Sequence, residues 1–147
     1  MSKKKIIIGG IVAIIIIGAL YIWREFNRTV EHLNNIPADY SVNAISLINE
    51  YAGNESAADK KYQNKILSVN GIVKKVEDTD TTSIVILGDT TDMSSVRCIM
   101  DDSHQQQAGS LQRGKVVTIK GALTGFKKDD TGLLGSDVEL NRCVLAN

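Results

Sequence analysis

The longest apolar run of the chain lies at its N-terminal end. Residues 6–23, from Ile6 to Trp23, carry no charged or strongly polar side chain. An α-helix rises about 1.5 Å per residue, so this run covers roughly 27 Å, close to the hydrocarbon thickness of a bilayer. The pattern predicts a transmembrane helix over residues 6–23, preceded by a short N-terminus of residues 1–5.

The residues around this run favour a retained signal anchor. Gly18 and Ala19 are followed by the bulky Tyr21 and Trp23 rather than by a small-residue cleavage site. Three lysines precede the run, against Arg24 and Arg28 after it, and basic residues favour the cytoplasmic side. We therefore expect a single-pass protein of a bacterial cell membrane, with residues 1–5 cytoplasmic and the C-terminal domain extracytoplasmic. The alternative is that the apolar run is a cleaved signal and that the domain is secreted free of the membrane.

A mixed helical pattern follows the apolar run. Phe26, Val30 and Leu33 recur at helical spacing, and Pro37 would end the helix because proline lacks the amide donor. Residues 24–40 are therefore predicted to form a juxtamembrane helix and a linker.

A second helix is predicted from Ser41, a suitable N-cap residue, to the stop signal at Gly53 and Asn54. Its predicted apolar face consists of Val42, Ile45, Ile48 and Ala52. Residues 55–63 predict a further short helical turn that leads into the first strand.

Alternating strand patterns dominate the rest of the chain. Residues 67–73 and 116–123 are similar to each other, and each carries an interior glycine, Gly71 or Gly121. Such a glycine is typical of a bulge or bend, which lets one strand of a small barrel serve two sheets. Three shorter strands are predicted over residues 83–87, 96–101 and 138–145. In the second of them, Val96, Cys98 and Met100 would face one way, and Arg97 and Ile99 the other.

Five strands with a polar link over residues 102–114, after the third strand, are the order expected of an OB-fold. The predicted fold class is an all-β core with a helical lead-in: a five-stranded OB-fold barrel over residues 41–147, preceded by an N-terminal transmembrane helix.

Over residues 41–147 the chain also resembles the tRNA-anti-like OB-fold proteins of bacterial envelopes. The resemblance rests on five segments: residues 61–65 (KYQNK), 69–73 (VNGIV), 96–100 (VRCIM), 114–121 (GKVVTIKG) and 138–143 (VELNRC). Many members of that family are predicted lipoproteins or membrane-anchored proteins. The family name implies a likeness to anticodon-binding barrels, and hence single-stranded nucleic acid as a possible ligand.

The charge balance disfavours nucleic acid. From Val30 onward there are twelve lysine and arginine residues against sixteen aspartate and glutamate residues, a net charge of −4, whereas binding to a phosphate backbone depends on cationic side chains. On the expected binding surface, three cations face six carboxylates: Arg97, Lys127 and Lys128 against Glu77, Asp78, Asp80, Asp129, Asp130 and Asp137. Phe126 is the only aromatic residue beyond the leading helices, although single-strand binders use aromatic side chains to stack bases.

Two lysine pairs are candidates for a ligand-binding patch. Lys74 and Lys75 end the first predicted strand, and Lys127 and Lys128 end the fourth. Since these strands would be neighbours in a closed barrel, the four ammonium groups could gather at one end and bind an anionic partner. An ordinary solvated surface is the alternative. Together with Arg97, these are the predicted ligand-binding residues.

Cys98 and Cys143 fall on the third and fifth predicted strands, which are adjacent in an OB barrel. A disulfide between them would close a loop of about 45 residues and contribute roughly 4 kcal/mol by the chain-entropy model. The alternative is two buried free thiols.

The sequence predicts no catalytic residues, metal site or cofactor. It contains no nucleophile elbow, phosphate-binding glycine loop or zinc-ligand helix, and His32 and His104 are isolated. The predicted function is that of a non-enzymatic binding or scaffolding module. Its predicted partners are the lipid bilayer, through residues 6–23, and a protein or an envelope polymer. Single-stranded nucleic acid is the second candidate ligand.

Overall fold

A computed structural model describes residues 14–22 and 33–146. The chain divides into two compact units, Met1–Glu31 and His32–Asn147. In the first unit, residues 14–22 are helical and their side chains are exposed. Within the two described ranges, no helix is both long enough and apolar enough to cross a membrane. The rest of the predicted span, residues 6–13 and Trp23, lies outside the described residues, as do residues 1–5 and 24–32.

The second unit is a closed β-barrel with short helices. Its strands are β1 (Tyr40–Asn43), β2 (Ile66–Asp78), β3 (Ser83–Leu87), β4 (Ser95–Met100), β5 (Val116–Lys127) and β6 (Asp137–Leu145). Its helices are α1 (Ala44–Gly53), α2 (Glu55–Tyr62) and α3 (Gln105–Gly109), with 3-10 turns at Leu33–Asn35 and Asp102–His104. The sheet order is β1-β2-β3-β4-β6-β5, and a β2–β5 ladder closes the barrel. The five predicted barrel strands are confirmed.

The glycines in β2 and β5 lie where these strands change partner or register. Residues 66–72 of β2 pair with β5, and residues 73–78 pair with β3, so Gly71 lies just before the change. In β5 the register with β6 shifts between Lys120 and Ala122, around Gly121. A Cβ atom at Gly71 would lie 2.7 Å from Ala44 Cβ, so the glycine also lets the start of α1 approach β2 closely. The predicted closure of the barrel and the irregularity at Gly121 are confirmed, whereas the register shift of β2 lies between Val73 and Lys75 rather than at Gly71.

The helical lead-in differs from the prediction at its start. Residues 40–43 form β1, which pairs in parallel with residues 67–70 of β2. The helix cap is therefore Asn43, whose side-chain oxygen accepts a hydrogen bond from Ile45 N at 2.9 Å, and not Ser41.

The predicted apolar face of the helix is confirmed at Ile48 and wrong at Val42, Ile45 and Ala52. The buried residues of α1 are Ala44, Leu47, Ile48 and Tyr51. Val42 lies in β1, and Ile45 is 42% exposed. Pairing with β2 outweighs the local helical pattern at residues 40–43.

Lys120 fixes the entry of the chain into this unit. Its ammonium group donates hydrogen bonds to the carbonyl oxygens of Leu33 at 3.2 Å, Asn34 at 3.4 Å and Ile36 at 2.9 Å. The carbonyl oxygen of Leu33 also accepts a hydrogen bond from Ile36 N at 3.3 Å within the turn. A lysine in the middle of β5 thus holds the segment before β1 against the barrel.

The hydrophobic core is a continuous cluster of buried residues from Ala44 to Cys143, with Val42 and Leu145 packed against it. It is formed by the inward faces of the strands together with α1, α2 and Ala108 of α3. Val96, Cys98 and Met100 of β4 are buried, and Arg97 and Ile99 point outward, as predicted. Because unit His32–Asn147 includes this whole core, we expect it to fold when produced alone.

Candidate binding groove

A bulge in β2 positions the first two candidate lysines. Val73 pairs with Leu87 and Lys75 pairs with Ile86, so Lys74 is the extra residue. Its ammonium group donates to the carbonyl oxygens of Asp92 at 2.6 Å and Ser94 at 2.9 Å. The bulge thus directs Lys74 onto the loop between β3 and β4. It also corrects the expectation that these lysines end their strand, which continues to Asp78.

Beside this bulge lies an open groove of about 810 Å³. We call it the cationic groove, and its lining consists of Lys74, Lys75, Val76, Glu77, Ile86, Thr90, Met93, Leu111 and Arg113. Val76, Ile86, Met93 and Leu111 supply apolar surface, while three cations face one carboxylate. Such a combination can bind a group that is anionic at one part and apolar at another.

The link between α3 and β5 brings Arg113 to the groove. The carbonyl oxygen of Val73 accepts a hydrogen bond from Gly114 N, and Val73 N donates to the carbonyl oxygen of Lys115, both at 2.8 Å. These bonds hold the link against β2. In the described part of the chain, the exposed Arg113 side chain has no ion pair. Its guanidinium is therefore available to a ligand.

Glu77 joins the groove to the outer face of β4. Its carboxylate bridges Lys75 at 3.1 Å and Arg97 at 3.2 Å. The hydrogen bond from Lys75 is the main cause that lowers the pKa of Glu77, and Arg97 adds to it. Because Glu77 stays ionised at neutral pH, Arg97 is held across the strands by an internal partner.

The second lysine pair approaches this region through β6 rather than along the β2–β5 ladder: in the strand register Lys127 pairs with Asp137, and Asp137 pairs with Ser95, next to the Lys74 acceptor Ser94. The β2–β5 ladder runs from Ile66 opposite Ala122 to Ile72 opposite Val116. Lys74 therefore follows the ladder at the start of β5, whereas Lys127 is the last residue of that strand. The predicted route to a single cluster, through adjacent ends of these two strands, is wrong. Lys128 pairs with Asp130 at 3.4 Å. Ligand binding by the five predicted residues stays a prediction.

Several carboxylates of the predicted surface have structural partners. Glu77 and Asp78 belong to β2 rather than to a loop, and Asp78 accepts a hydrogen bond from Ser83 Oγ. Asp137 accepts one from Ser95 Oγ at 2.5 Å. The acidic count of the sequence therefore overstates how many carboxylates are presented to a ligand.

Four aromatic residues of unit His32–Asn147 are packed against one another. Phe126 stacks on Tyr51, with ring centroids 4.9 Å apart, and Tyr51 stacks on Tyr62 at 6.4 Å. Tyr40 meets Tyr62 edge to face at 5.3 Å. Phe126, the barrel aromatic on which a nucleic-acid base would have to stack, thus already stacks on Tyr51 of α1.

Cys98 and Cys143 are both fully buried, on the paired strands β4 and β6. Both are free thiols in the structure. Burial, with a smaller contribution from a hydrogen bond to Cys98, raises the pKa of Cys143 well above its ordinary value. The predicted adjacency is confirmed, and the disulfide stays a prediction.

No metal-binding cluster of histidine, cysteine, aspartate or glutamate residues occurs within residues 14–22 and 33–146. His104 lies in a small polar cavity of about 340 Å³, where Asn34 Nδ2 is 3.0 Å from its Nε2. This histidine contacts the segment that enters the barrel.

Among solved structures, the fold is similar to that of a candidate nucleic-acid-binding lipoprotein from Klebsiella pneumoniae. The identity is 17% and the TM-score 0.55, with 76% of this chain and 99% of that chain covered. This likeness shows the fold.

Two further matches are synthetase chains. An aspartyl-tRNA synthetase from Entamoeba histolytica has 12% identity and a TM-score of 0.45, covering 58% of this chain and 19% of that one. An asparaginyl-tRNA synthetase from Pyrococcus horikoshii has 15% identity and a TM-score of 0.40, covering 59% and 21%. The matched region thus spans about a fifth of each synthetase, and these scores are too low to support a functional argument.

A search of curated protein sequences finds no significant match. The tRNA_anti-like family matches residues 1–137, which extends beyond the barrel to include the N-terminal segment. It is a family of OB-fold binding domains rather than an enzyme family. This chain belongs to the tRNA_anti-like family.

Proposed function

We propose that this protein is a membrane-anchored, non-enzymatic binding module that uses the cationic groove to hold a protein or an envelope polymer. The cationic groove carries this proposal, because its apolar surface lies beside three cations. The ligand would present carboxylate or phosphate groups next to apolar ones.

Arg113 and Lys75 would make the principal polar contacts. Arg113 has no ion pair among the described residues, and Lys75 shares its only described carboxylate, Glu77, with Arg97. Lys74 has a different role, since its ammonium group already has two carbonyl partners. It would shape the groove by holding the 88–94 loop in place.

The binding test compares polymers of similar length. Fluorescence anisotropy would measure binding of unit 32–147 to an acidic peptide that includes apolar residues, to an acidic polysaccharide and to single-stranded oligonucleotides. We expect K75E/R113E to weaken binding of the peptide or the polysaccharide at least about tenfold, because two cationic contacts become repulsive. K60E/K65E is the matched control, since it makes the same charge change at exposed positions away from the groove. Equal binding by both double variants would reject the groove as the site.

The membrane placement is part of the proposal. It is supported by the apolar run of residues 6–23 and by the helical conformation of residues 14–22. In intact spheroplasts, added protease is expected to cleave the C-terminal domain, with a cytoplasmic protein as the protected control. Protection of the domain until lysis would contradict the proposed orientation.

Single-stranded nucleic acid is the second candidate, supported by the family and by the description of the Klebsiella protein. The net charge of −4 and the engagement of Phe126 by Tyr51 weigh against it. Oligonucleotide binding that falls steeply with salt, and exceeds binding of both acidic polymers, would put this candidate first.

A further inference from the structure

The loop between β5 and β6 exposes two large apolar side chains. Leu133 is 74% exposed and Leu134 is 77% exposed. We call residues 128–136 the leucine tip. An exposed leucine is unremarkable by itself, but two adjacent leucines at the end of one loop form an apolar patch.

The leucine tip is held in one conformation by Asp129. Its Oδ1 accepts hydrogen bonds from Thr131 N at 3.0 Å and Thr131 Oγ1 at 2.5 Å, and its Oδ2 accepts from Leu134 N at 2.7 Å and Gly135 N at 3.1 Å. These bonds, that from the Thr131 side chain first, lower the pKa of Asp129 to about 2. The carboxylate therefore holds the loop throughout the physiological pH range.

The base of the leucine tip is fixed by a close backbone approach. Gly135 has φ +77°, and a Cβ atom there would lie 2.4 Å from the carbonyl carbon of Met93. The loop that carries the two exposed leucines is thus held in one conformation by its own hydrogen bonds and by its contact with Met93. A partner that binds them need not order the loop, which lowers the entropic cost of association.

The charge around the leucine tip indicates what could bind there. The leucine tip contains Lys128, Asp129 and Asp130, which give a net charge of −1. This charge disfavours an anionic lipid surface or a nucleic acid. The complementary surface is an apolar pocket with cations at its edge.

The cationic groove has that chemistry. Val76, Ile86 and Leu111 provide apolar surface, and Lys74, Lys75 and Arg113 outnumber Glu77. The groove and the tip are also close together, because Met93 lines the groove and its backbone contacts Gly135. In a two-fold dimer, each of two adjacent complementary surfaces can face its counterpart on the other molecule.

From this complementarity we infer that the protein self-associates as a two-fold dimer, in which the leucine tip of each molecule occupies the cationic groove of the other. This inference does not depend on the ligand proposed above. Absence of polymer binding would leave it intact, and absence of a dimer would leave the polymer proposal intact.

Sedimentation equilibrium of unit 32–147, repeated with the full chain in a non-ionic detergent, tests this inference. We expect a concentration-dependent monomer–dimer equilibrium. L133S/L134S and K75E/R113E should each lower the association constant at least about tenfold, because each removes both tip–groove contacts. Thermal unfolding would establish that the variants remain folded. As the matched control, I45S changes an exposed apolar residue on α1, and it should associate like the wild type, whereas L134S should not.

A mixing experiment separates direct docking from an indirect effect. L133S/L134S retains the groove and K75E/R113E retains the tip, so a mixture can form one of the two contacts. We expect the mixture to associate more strongly than either variant alone and more weakly than the wild type. A wild-type protein that stays monomeric at several hundred micromolar would overturn the inference. Association unchanged by L133S/L134S, or tip-dependent binding of the monomer to lipid vesicles, would also overturn it.

Discussion

The helix-covered side of the barrel and the cationic groove use similar residue types in opposite ways. On the helix side, Tyr51 and Tyr62 are buried and stack with each other, and Phe126 stacks on Tyr51. Glu50 there accepts hydrogen bonds from Lys61 at 2.9 Å and from Tyr62 at 3.0 Å. The stacked rings and the Glu50 carboxylate on this side are thus matched to partners within the domain.

In the groove, fewer of the charged side chains have an ion-pair partner within the domain. Of the three cations in its lining, only Lys75 pairs with the one carboxylate, Glu77, and Met93 is 62% exposed. Internal pairing stabilises a fold, whereas unmatched groups in a concave surface are available for binding. The comparison separates residues whose loss should reduce stability from residues whose loss should reduce recognition.

The largest expected effect is on the helix side. Tyr51→Ala removes a buried ring that contacts both Tyr62 and Phe126, and it should lower the free energy of unfolding by about 3–5 kcal/mol. Urea denaturation of unit 32–147 would measure this loss. Ile45→Ala, on the exposed face of the same helix, should change stability by less than about 0.5 kcal/mol. Similar losses for the two variants would remove the distinction between the faces of α1.

A smaller effect is expected where β5 contacts β6. At Gly121, a Cβ atom would lie 2.5 Å from Cys143 Sγ and 3.0 Å from Leu140 Cβ. Gly121→Ala should therefore cost about 1–3 kcal/mol through overpacking. Gly125→Ala is the matched control in the same strand, because nothing lies within 4 Å of a Cβ atom there. Equal stability of the two variants would contradict this account of the Gly121 contact.

The paired charges of the helix side should produce a modest pH dependence. The hydrogen bond from Lys61 is the main cause that lowers the pKa of Glu50 below 4.5. Its contribution to stability is therefore present above pH 4.5 and is lost as the pH falls through the folded-state pKa. Relative to the wild type, Glu50→Gln should lose less than about 1 kcal/mol at pH 7, because the pair is partly exposed.

Unfolding titrations between pH 7 and pH 2.5 would follow this difference. The stability difference between the wild type and Glu50→Gln should shrink toward acid. A stability difference that grows as the pH falls would contradict the predicted direction of this pH dependence. Glu55→Gln, on the neighbouring helix, makes the same charge change and serves as the control.

The smallest effect on stability is expected in the groove. Arg113→Ala should change the free energy of unfolding by less than about 0.5 kcal/mol, because this side chain has no ion pair among the described residues. It should nevertheless weaken binding of the acidic peptide or polysaccharide. A large loss of stability would contradict this prediction, because it would mean that Arg113 stabilises the fold as the paired residues of the helix side do.

The elements that could be predicted from the sequence are those with a strong local signal. The alternation of Val96, Cys98 and Met100 and the interior Gly121 each reflect a property of one strand, and both were interpreted correctly. β1 was missed because four residues carry too short a pattern, and their strand conformation depends on pairing with a distant part of the chain.

The candidate site was predictable only in part. Lys74 and Lys75 stand out as a pair in the sequence, but the bulge gives them different partners. Arg113 was missed because the link before β5 has no periodic pattern, and its position depends on the bonds between Val73 and residues 114 and 115. Spacing along a chain indicates which residues share a strand, and it does not fix which strand ends meet.

The three hydrogen bonds from Lys120 to the carbonyl oxygens of residues 33, 34 and 36 have a mechanical consequence. Tension applied to the domain from its N-terminal side would reach the middle of β5 before it could peel β1 from the sheet edge. Because β5 is hydrogen-bonded to both β2 and β6, the force would be distributed over two ladders. A single ammonium group thereby makes the closed barrel, rather than its weakest edge, the part that resists pulling.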